Sequence, residues 1–358
     1  MDIALSFIVG GIAGWFLNGV LDSAVARLRW AFIRYRAQRH ARKVAFRDGL
    51  LRVGAEHIFV SEYAPRGFDV ARSTLRVSSE PVNVVRDSAL GWEAKLRTVG
   101  HELAAAAEQV RKEAAAGDGK VLWNGQTLGL RSVRIDRDPM TETQQLTLDF
   151  VQSDHAAYVA ASQWHRRLIK EDGLPHVEED KWREIELALS HSFGLNATIE
   201  TSDGYVILTR RGAIPGSHPG KRHISVNEGI RPTDADRGSL DIEAGLRRGI
   251  KEELGIVMAG EAVNFHTLIL DIEPYEWALL AHVRVELSLK QIRERRLLAA
   301  DKWEMESIEA IRFDETEVRR VLEHMDDWIP HGALNLALSL IAERHADASL
   351  LDLLRGNA

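Results

Sequence analysis

The sequence predicts a mixed α/β protein of about two domains, preceded by one apolar segment at the N-terminus. Three observations predict it. The chain has 358 residues, more than a single domain of ~100–200 residues needs. From residue 195 onward, short β-patterned runs alternate with runs of helical period. Ile3 to Leu21, reading IALSFIVGGIAGWFLNGVL, carries no charge. The 45% hydrophobic and 28% charged residues exclude wholesale disorder and collagen-like or low-complexity architectures. The chain has no cysteine, which excludes a disulfide framework, a thiolate zinc site and a cysteine nucleophile. With 46 Lys+Arg against 53 Asp+Glu, the net charge of −7 gives no general attraction to nucleic acid.

Taken in order, Ile3–Leu21 as a helix would rise roughly 28 Å, close to the ~30 Å hydrocarbon core of a bilayer. Asp2 precedes it, and Arg27, Arg29, Arg34, Arg36, Arg39, Arg42 and Lys43 follow it. A cleaved signal peptide has the opposite polarity. The positive-inside rule puts the C-terminal bulk in the cytoplasm, so a single-pass protein of the inner (cytoplasmic) membrane is expected. A buried core helix is the competing reading, and it fits less well because the apolar character runs all round. Ser6, Gly10, Gly14 and Asn18 share one helix face, where small residues let two helices approach closely. Homo-oligomerisation through Gly10 and Gly14 is therefore expected, although glycine is common in membrane helices generally. Residues 24–47 form a basic stretch leaving the membrane, and attraction to anionic headgroups is sufficient to explain it.

Residues 48–90 mix short apolar runs with Gly, Pro and Ser and yield no assignment. Residues 91–116 are rich in helix formers and stop at Gly117. LGLRSVRID and TQQLTLDFV flank Arg137-Asp138-Pro139-Met140, a hairpin pattern. Residues 154–171 and 179–190 read as helices, separated by Gly173 and Pro175. NATIE, Ser202-Asp203-Gly204 and YVILTRR then make a second hairpin, and HISVNEG a short strand entering a loop. In LDIEAGLRRGIKEELG, Ile242, Leu246, Ile250 and Leu254 fall on one helix face, with Ser239 as expected N-cap and Gly255 as stop. HTLILDI, WALLAHVRVEL and IEAIRF are further strands, and helices near 317–325 and 331–346 follow. The expected division is 1–26 anchor, 27–190 basic helix and α+β accessory region, 191–346 α/β domain and 347–358 tail.

LTRRGAIPGSHPGKRHISVNEG followed by GLRRGIKEELGI resembles the strand–loop–helix of the Nudix superfamily. That signature is Gly, five residues, Glu, seven residues, then Arg-Glu-apolar-x-Glu-Glu-x-Gly-apolar. Its last part falls on Arg248, Gly249, Ile250, Lys251, Glu252, Glu253, Leu254, Gly255 and Ile256. The resemblance covers residues 195–345, under half of the chain, and implies a mixed-sheet α/β/α sandwich. Glutamates at i, i+3 and i+4 share a helix face and hold magnesium through oxygen ligands for pyrophosphate chemistry. Here Glu252 and Glu253 supply the later two, while the first position is Gly249 and the early Glu falls on Leu240. Aligned from Gly229, the spacing to Arg248 is nineteen, five more than the pattern. The box is degenerate.

Glu252 and Glu253 are thus the candidate metal ligands. Glu253, Glu228 and Glu304 are the candidate catalytic carboxylates, with Glu243 and Glu306 as further substitutes for the missing one. Arg210, Arg211, Lys221, Arg222 and Arg248 are candidate ligands for an anionic group; charge balancing against the acidic helix explains them equally well. His223 stands beside them, and Trp303 and Tyr275 are candidates for base stacking, with core packing as the alternative. The resemblance leaves two functions open. One is a membrane-anchored nucleotide-binding sensor or effector, an architecture similar to the Nudix effectors of bacterial cyclic-oligonucleotide (CBASS-type) antiphage systems. The other is a magnesium-dependent pyrophosphohydrolase of a nucleoside diphosphate derivative, tethered to the inner membrane. Isopentenyl diphosphate isomerase chemistry, also found on this fold, lacks its expected cysteine.

Overall fold

The computed structural model describes residues 49–78, 93–116, 124–141, 143–174, 179–212, 218–236, 238–300 and 305–355. The expected anchor, its Gly10/Gly14 face and the basic stretch 24–47 lie outside them. Among the described residues no helix is long and apolar enough to cross a membrane.

Two sheets are built in chain order from β1 (Gly49–Val53), β2 (Glu56–Tyr63), β3 (Thr74–Ser78), β4 (Gln126–Arg137), β5 (Gln144–Asp154), β6 (Phe193–Glu200), β7 (Tyr205–Arg211), β8 (Arg222–Ile224), β9 (Val226–Gly229), β10 (Ala235–Asp236), β11 (Ser239–Leu240), β12 (Val263–Asp271), β13 (Glu276–Arg284) and β14 (Met305–Arg312). The helices are α1 (Glu93–Ala116), α2 (His155–Asp172), α3 (Ile242–Leu254), α4 (Leu289–Arg296), α5 (Glu315–Leu322), α6 (Pro330–Arg344) and α7 (Leu350–Leu354). The larger sheet runs β1-β2-β12-β13-β6-β7-β14, with β8 against β7 and β9 against β6. Its β13–β6 pair is parallel within otherwise antiparallel neighbours, so the sheet is mixed. The smaller sheet runs β10-β11-β3-β5-β4.

All eight residues of β6 are buried, as a strand covered on both faces must be. Phe193, Leu195, Ala197 and Ile199 share a core with Ile242, Leu246, Ile250 and Leu254 of α3. The alternate residues meet α6: Asn335 Nδ2 donates to the Asn196 carbonyl at 2.9 Å, and Arg344 pairs with Glu200. Helix α3 therefore covers one face and α6 the other, the layered α/β/α arrangement expected for this part of the chain. Helix α6 is buried continuously from Pro330 to Ile341, which matches its lack of a polar stripe.

Other expectations are met or corrected locally. Helix α1, the β4–β5 hairpin and the strands β12 and β13 form where the sequence places them. The turn of the first hairpin is closed by Asp138 Oδ1, which accepts from Met140 N at 2.7 Å and Thr141 N at 3.0 Å. The helix expected over 179–190 is only a short 3₁₀ turn, Glu179–Arg183. Tertiary bonds take its backbone and side chains instead: Glu186 N–H donates to Tyr275 Oη at 2.6 Å, and Arg183 Nη1 to Ser61 O at 2.6 Å. HISVNEG divides into β8 and β9 at Ser225, whose Oγ donates to Ile207 O (2.6 Å) and accepts from Ile199 N (2.8 Å). Ser225 so bridges β6 and β7 where they part.

The strands do not sort by sequence position alone. Residues 49–63 extend the larger sheet through β2–β12 pairing, while β10–β11 extend the smaller sheet beside β3. Residues 48–358 make one compact unit. The expected tail contributes α7, and Leu354 O accepts from Gly54 N at 2.7 Å.

Gly129 in β4 is where the chain packs against the 190–191 segment without room for a side chain. A Cβ there would stand 1.8 Å from Ser190 O. Gly129→Ala is expected to cost about 2 kcal/mol or more in urea denaturation, as overpacking does. Gly100 in α1, with nothing within 4 Å of its Cβ direction, is the contrast, and Gly100→Ala should gain ~0.5–1 kcal/mol.

Candidate functional site

Helix α3 carries the motif, and its first turn is set by Asp241, whose carboxylate accepts from Ala244 N at 2.9 Å. Asp241, and not Ser239, is the N-cap, because Ser239 is drawn into β11 opposite Arg76. Gly255 ends the helix as expected, at φ 69° in the left-handed region where a side chain is strained.

Arg248 is the hub of this helix face. Its Nε and Nη2 bind Asp234 Oδ1 and Oδ2 at 3.0 and 2.8 Å, a two-pronged pairing. Nη1 reaches Glu228 Oε1 at 3.0 Å and Glu252 Oε2 at 3.3 Å, and Nη2 also donates to Gly229 O at 3.0 Å. Arg231 adds a second guanidinium, 3.3 Å from Glu228 Oε1 and 3.2 Å from Glu252 Oε2. Burial opposes the Arg248 charge, yet Asp234 and Glu228 outweigh it and raise its pKa. Burial pushes the Glu228 carboxyl above its ordinary value, against the pull of Arg248 and Arg231. Glu253 turns inward, is 4% exposed, and accepts from Asn227 N at 3.3 Å.

The glycine of the degenerate box has a partner. A Cβ on Gly249 would lie 2.6 Å from Glu228 Cβ, 2.8 Å from its Cγ and 3.1 Å from its Oε2. Glu228 of β9 therefore crosses the helix at the position where the motif carries its own glutamate. A carboxylate is present beside residue 249, delivered from the sheet.

The family resemblance implies magnesium on this face, and the donor set does not fit it. Glu228 Oε1 and Glu252 Oε2 are each engaged by two guanidiniums, Glu253 is committed to a backbone N–H, and position 249 offers no ligand atom. Two arginines supply the positive charge beside these carboxylates.

The structure gathers Glu228, Arg248 and Glu252, but places the other basic candidates differently. Arg210 binds both Asp327 oxygens at 2.8 and 2.9 Å, and Arg222 binds Glu309 Oε2 at 2.9 Å and Asp327 Oδ2 at 3.2 Å. The Arg222 guanidinium also covers the Trp328 ring at 5.5 Å. These form a separate charge cluster where β7, β8 and β14 meet. Arg211 and Lys221 pair through their backbones, Arg211 N–H to Lys221 O at 3.0 Å. His223 is buried with its Nε2 2.9 Å from His331 Nε2, and Glu243 pairs with Arg247 at 3.3 Å. Tyr275 is a core residue. Glu304 and Trp303 lie outside the described residues, and Glu306 is described by its backbone alone, in β14.

Sequence reasoning missed Arg231 and Asp234. The signal was local: Arg231-Pro232-Thr233-Asp234 has proline at a helix start and an acidic residue two further on. Asp234 Oδ2 does accept from Arg231 N at 2.8 Å.

No family model matches the chain, and no curated protein matches it. Among solved structures, it is similar to a Deinococcus radiodurans protein at 14% identity and TM-score 0.26, over 46% of this chain and 82% of that one. It is similar to a mutT/nudix family protein from Listeria innocua at 12% and 0.29, over 43% and 94% of the two chains. The NUDIX domain of Shewanella oneidensis NrtR, complexed with ADP ribose, gives 11% and 0.28, over 43% and 88%. Likenesses of this size assign neither activity nor ligand.

Two outcomes follow from the packing of Glu228 on Gly249. Gly249→Ala should cost ~1–3 kcal/mol, and less in a Glu228→Gly background, measured as a double-mutant cycle in urea. Arg248→Met keeps the stem but takes both guanidinium bonds from Asp234 and leaves Glu228 and Glu252 to Arg231 alone, and a loss of ~3 kcal/mol is expected by the same measurement.

Proposed function

We propose that the chain is a nucleotide-binding sensor or effector on a Nudix-like scaffold, tethered to the membrane by Ile3–Leu21. What supports binding over turnover is the pairing of Glu228 and Glu252 with Arg248 and Arg231. A metal would have to displace both guanidiniums from these carboxylates. The same arginines suit an anionic ligand, because guanidinium binds phosphate oxygens in the geometry it uses for carboxylates. Arg231 and Arg248 keep 34% and 20% of their side chains exposed, so a phosphate-bearing ligand can exchange for an acidic partner without unfolding the helix. The effect at the membrane would pass through self-association of the Gly10/Gly14 face. A role in cyclic-oligonucleotide-activated antiphage defence follows from the family resemblance and this architecture alone.

A second function keeps one specific observation in its favour. Glu228 brings a carboxylate to the side of Gly249, so three glutamates still surround one turn of α3. A rewired pyrophosphohydrolase tethered to the inner membrane would need Arg248 to release them to magnesium.

The test uses the compact unit from Asp48 onward, screened with ADP-ribose, other nucleoside diphosphate derivatives, and linear and cyclic nucleotides, with and without magnesium. Thermal shift and product release are read in the same wells. A ligand at 100 times its Kd adds about 2.7 kcal/mol, so an upward shift of several degrees without product is expected. Magnesium-dependent product release that Glu253→Gln abolishes would establish the hydrolase instead.

A further inference from the structure

On the other side of the larger sheet, three carboxylates meet. Glu56 opens β2, Asp271 ends β12 and Glu273 lies in the turn that follows, and one oxygen from each lies within 4.8 Å of the other two. The β2–β12 register places them, with Ile58 opposite Asp271 and Ile272 N–H donating to His57 O at 3.0 Å. This is not the box-helix network. Glu228 faces α3, whereas Asp271 is bonded to His331 of α6, on the opposite face.

Each carboxylate is held from behind by a histidine. His218 Nε2 lies 2.5 Å from Glu56 Oε1, His331 Nδ1 lies 2.9 Å from Asp271 Oδ2, and His57 Nδ1 lies 2.9 Å from Glu273 Oε1. The His57 backbone N–H also donates to both Glu273 oxygens, at 3.0 and 2.9 Å. His331 is itself backed by His223. The remaining oxygens are another matter. Asp271 is 2% exposed, and its Oδ1 has no hydrogen-bond partner; Glu56 Oε2 is likewise buried without one. A buried acceptor left unmade costs ~1–3 kcal/mol, more when charged, and three carboxylates this close repel one another. Burial, then the charges of Glu56 and Glu273, pushes the Asp271 carboxyl well above its ordinary value, with Arg166 of α2 in partial opposition.

We propose that Glu56, Asp271 and Glu273 bind one hard divalent cation, of the manganese or magnesium class, through carboxylate oxygens. Oxygen-only donors select such cations over softer ones. The cation would satisfy Asp271 Oδ1 and Glu56 Oε2 together and remove the mutual repulsion. His57, His218 and His331 are positioning residues that fix the three carboxylates, as outer partners do around metal ligands. The rival occupant of the same geometry is a proton on Asp271.

The test titrates the full chain, in detergent and stripped with chelator, with Mn²⁺, reading free Mn²⁺ by electron paramagnetic resonance and competing with Mg²⁺ and Ca²⁺. One Mn²⁺ per chain is expected. Asp271→Asn should weaken it at least ~10-fold and His331→Gln about 10-fold. Glu228→Gln and Glu252→Gln should leave its Kd unchanged. If Asp271→Asn fails to fold, Glu273→Gln gives the same comparison from the cluster's more open side. No saturable binding up to ~1 mM Mn²⁺, which is far above the range of metal-binding sensor sites, would overturn the proposal in favour of the proton. Binding lost in the Glu228 and Glu252 variants but not in Asp271→Asn would overturn it too, and would move the metal to the box helix.

Discussion

Arg248 is the cation that lets acidic residues of β9, the loop after it and α3 be drawn together against the larger sheet. It holds Asp234 with two bonds and reaches Glu228 and Glu252 with a third nitrogen. Around it, local choices become consistent. Asp234 fixes the 3₁₀ turn between β9 and β10, Glu228 lies flat on α3, and residue 249 has no side chain because Glu228 occupies its space. A glycine that reads as a lost catalytic residue in the sequence is, in the fold, the condition for bringing in a carboxylate from another element.

The two faces of the sheet solve the same electrostatic problem differently. Carboxylates withdrawn from water need positive charge or protons nearby. On the α3 face two arginines supply it, and the chemistry of a metal is displaced by the chemistry of guanidinium. At the Glu56, Asp271 and Glu273 cluster on the α6 face the partners are histidines, and burial holds His223 and His331 below their ordinary pKa. The proposed cation site accordingly lies on the second face and the proposed phosphate-recognising one on the first.

Much of the architecture was legible in the residues. The four-residue spacing of Ile242, Leu246, Ile250 and Leu254 gave α3, Gly255 gave its stop, and the turn signal around Asp138 gave a hairpin. Where tertiary contacts outbid local propensity, the pattern misled. Residues 179–190 have helical composition but spend their bonding on Tyr275 and Ser61. Arg210 and Arg222 read as loop cations facing a cleft, yet Glu309 and Asp327, about a hundred residues away, claim them. The Glu228–Gly249 contact was out of reach for the same reason: it joins a strand to a helix twenty-one residues on, and no spacing rule links the two. Likewise nothing in the spacing of Glu56 and Asp271 announces that they meet.

Crystals of the full chain grown with Mn²⁺ and measured at an anomalous wavelength test the central claim most directly. The claim is that internal arginines hold the box-helix carboxylates closed to metal. It predicts no anomalous peak among Glu228, Glu252 and Glu253, with Arg248 still on Asp234, and a peak between Glu56, Asp271 and Glu273. A peak on Glu252 and Glu253, with Arg248 swung out toward solvent, would contradict it.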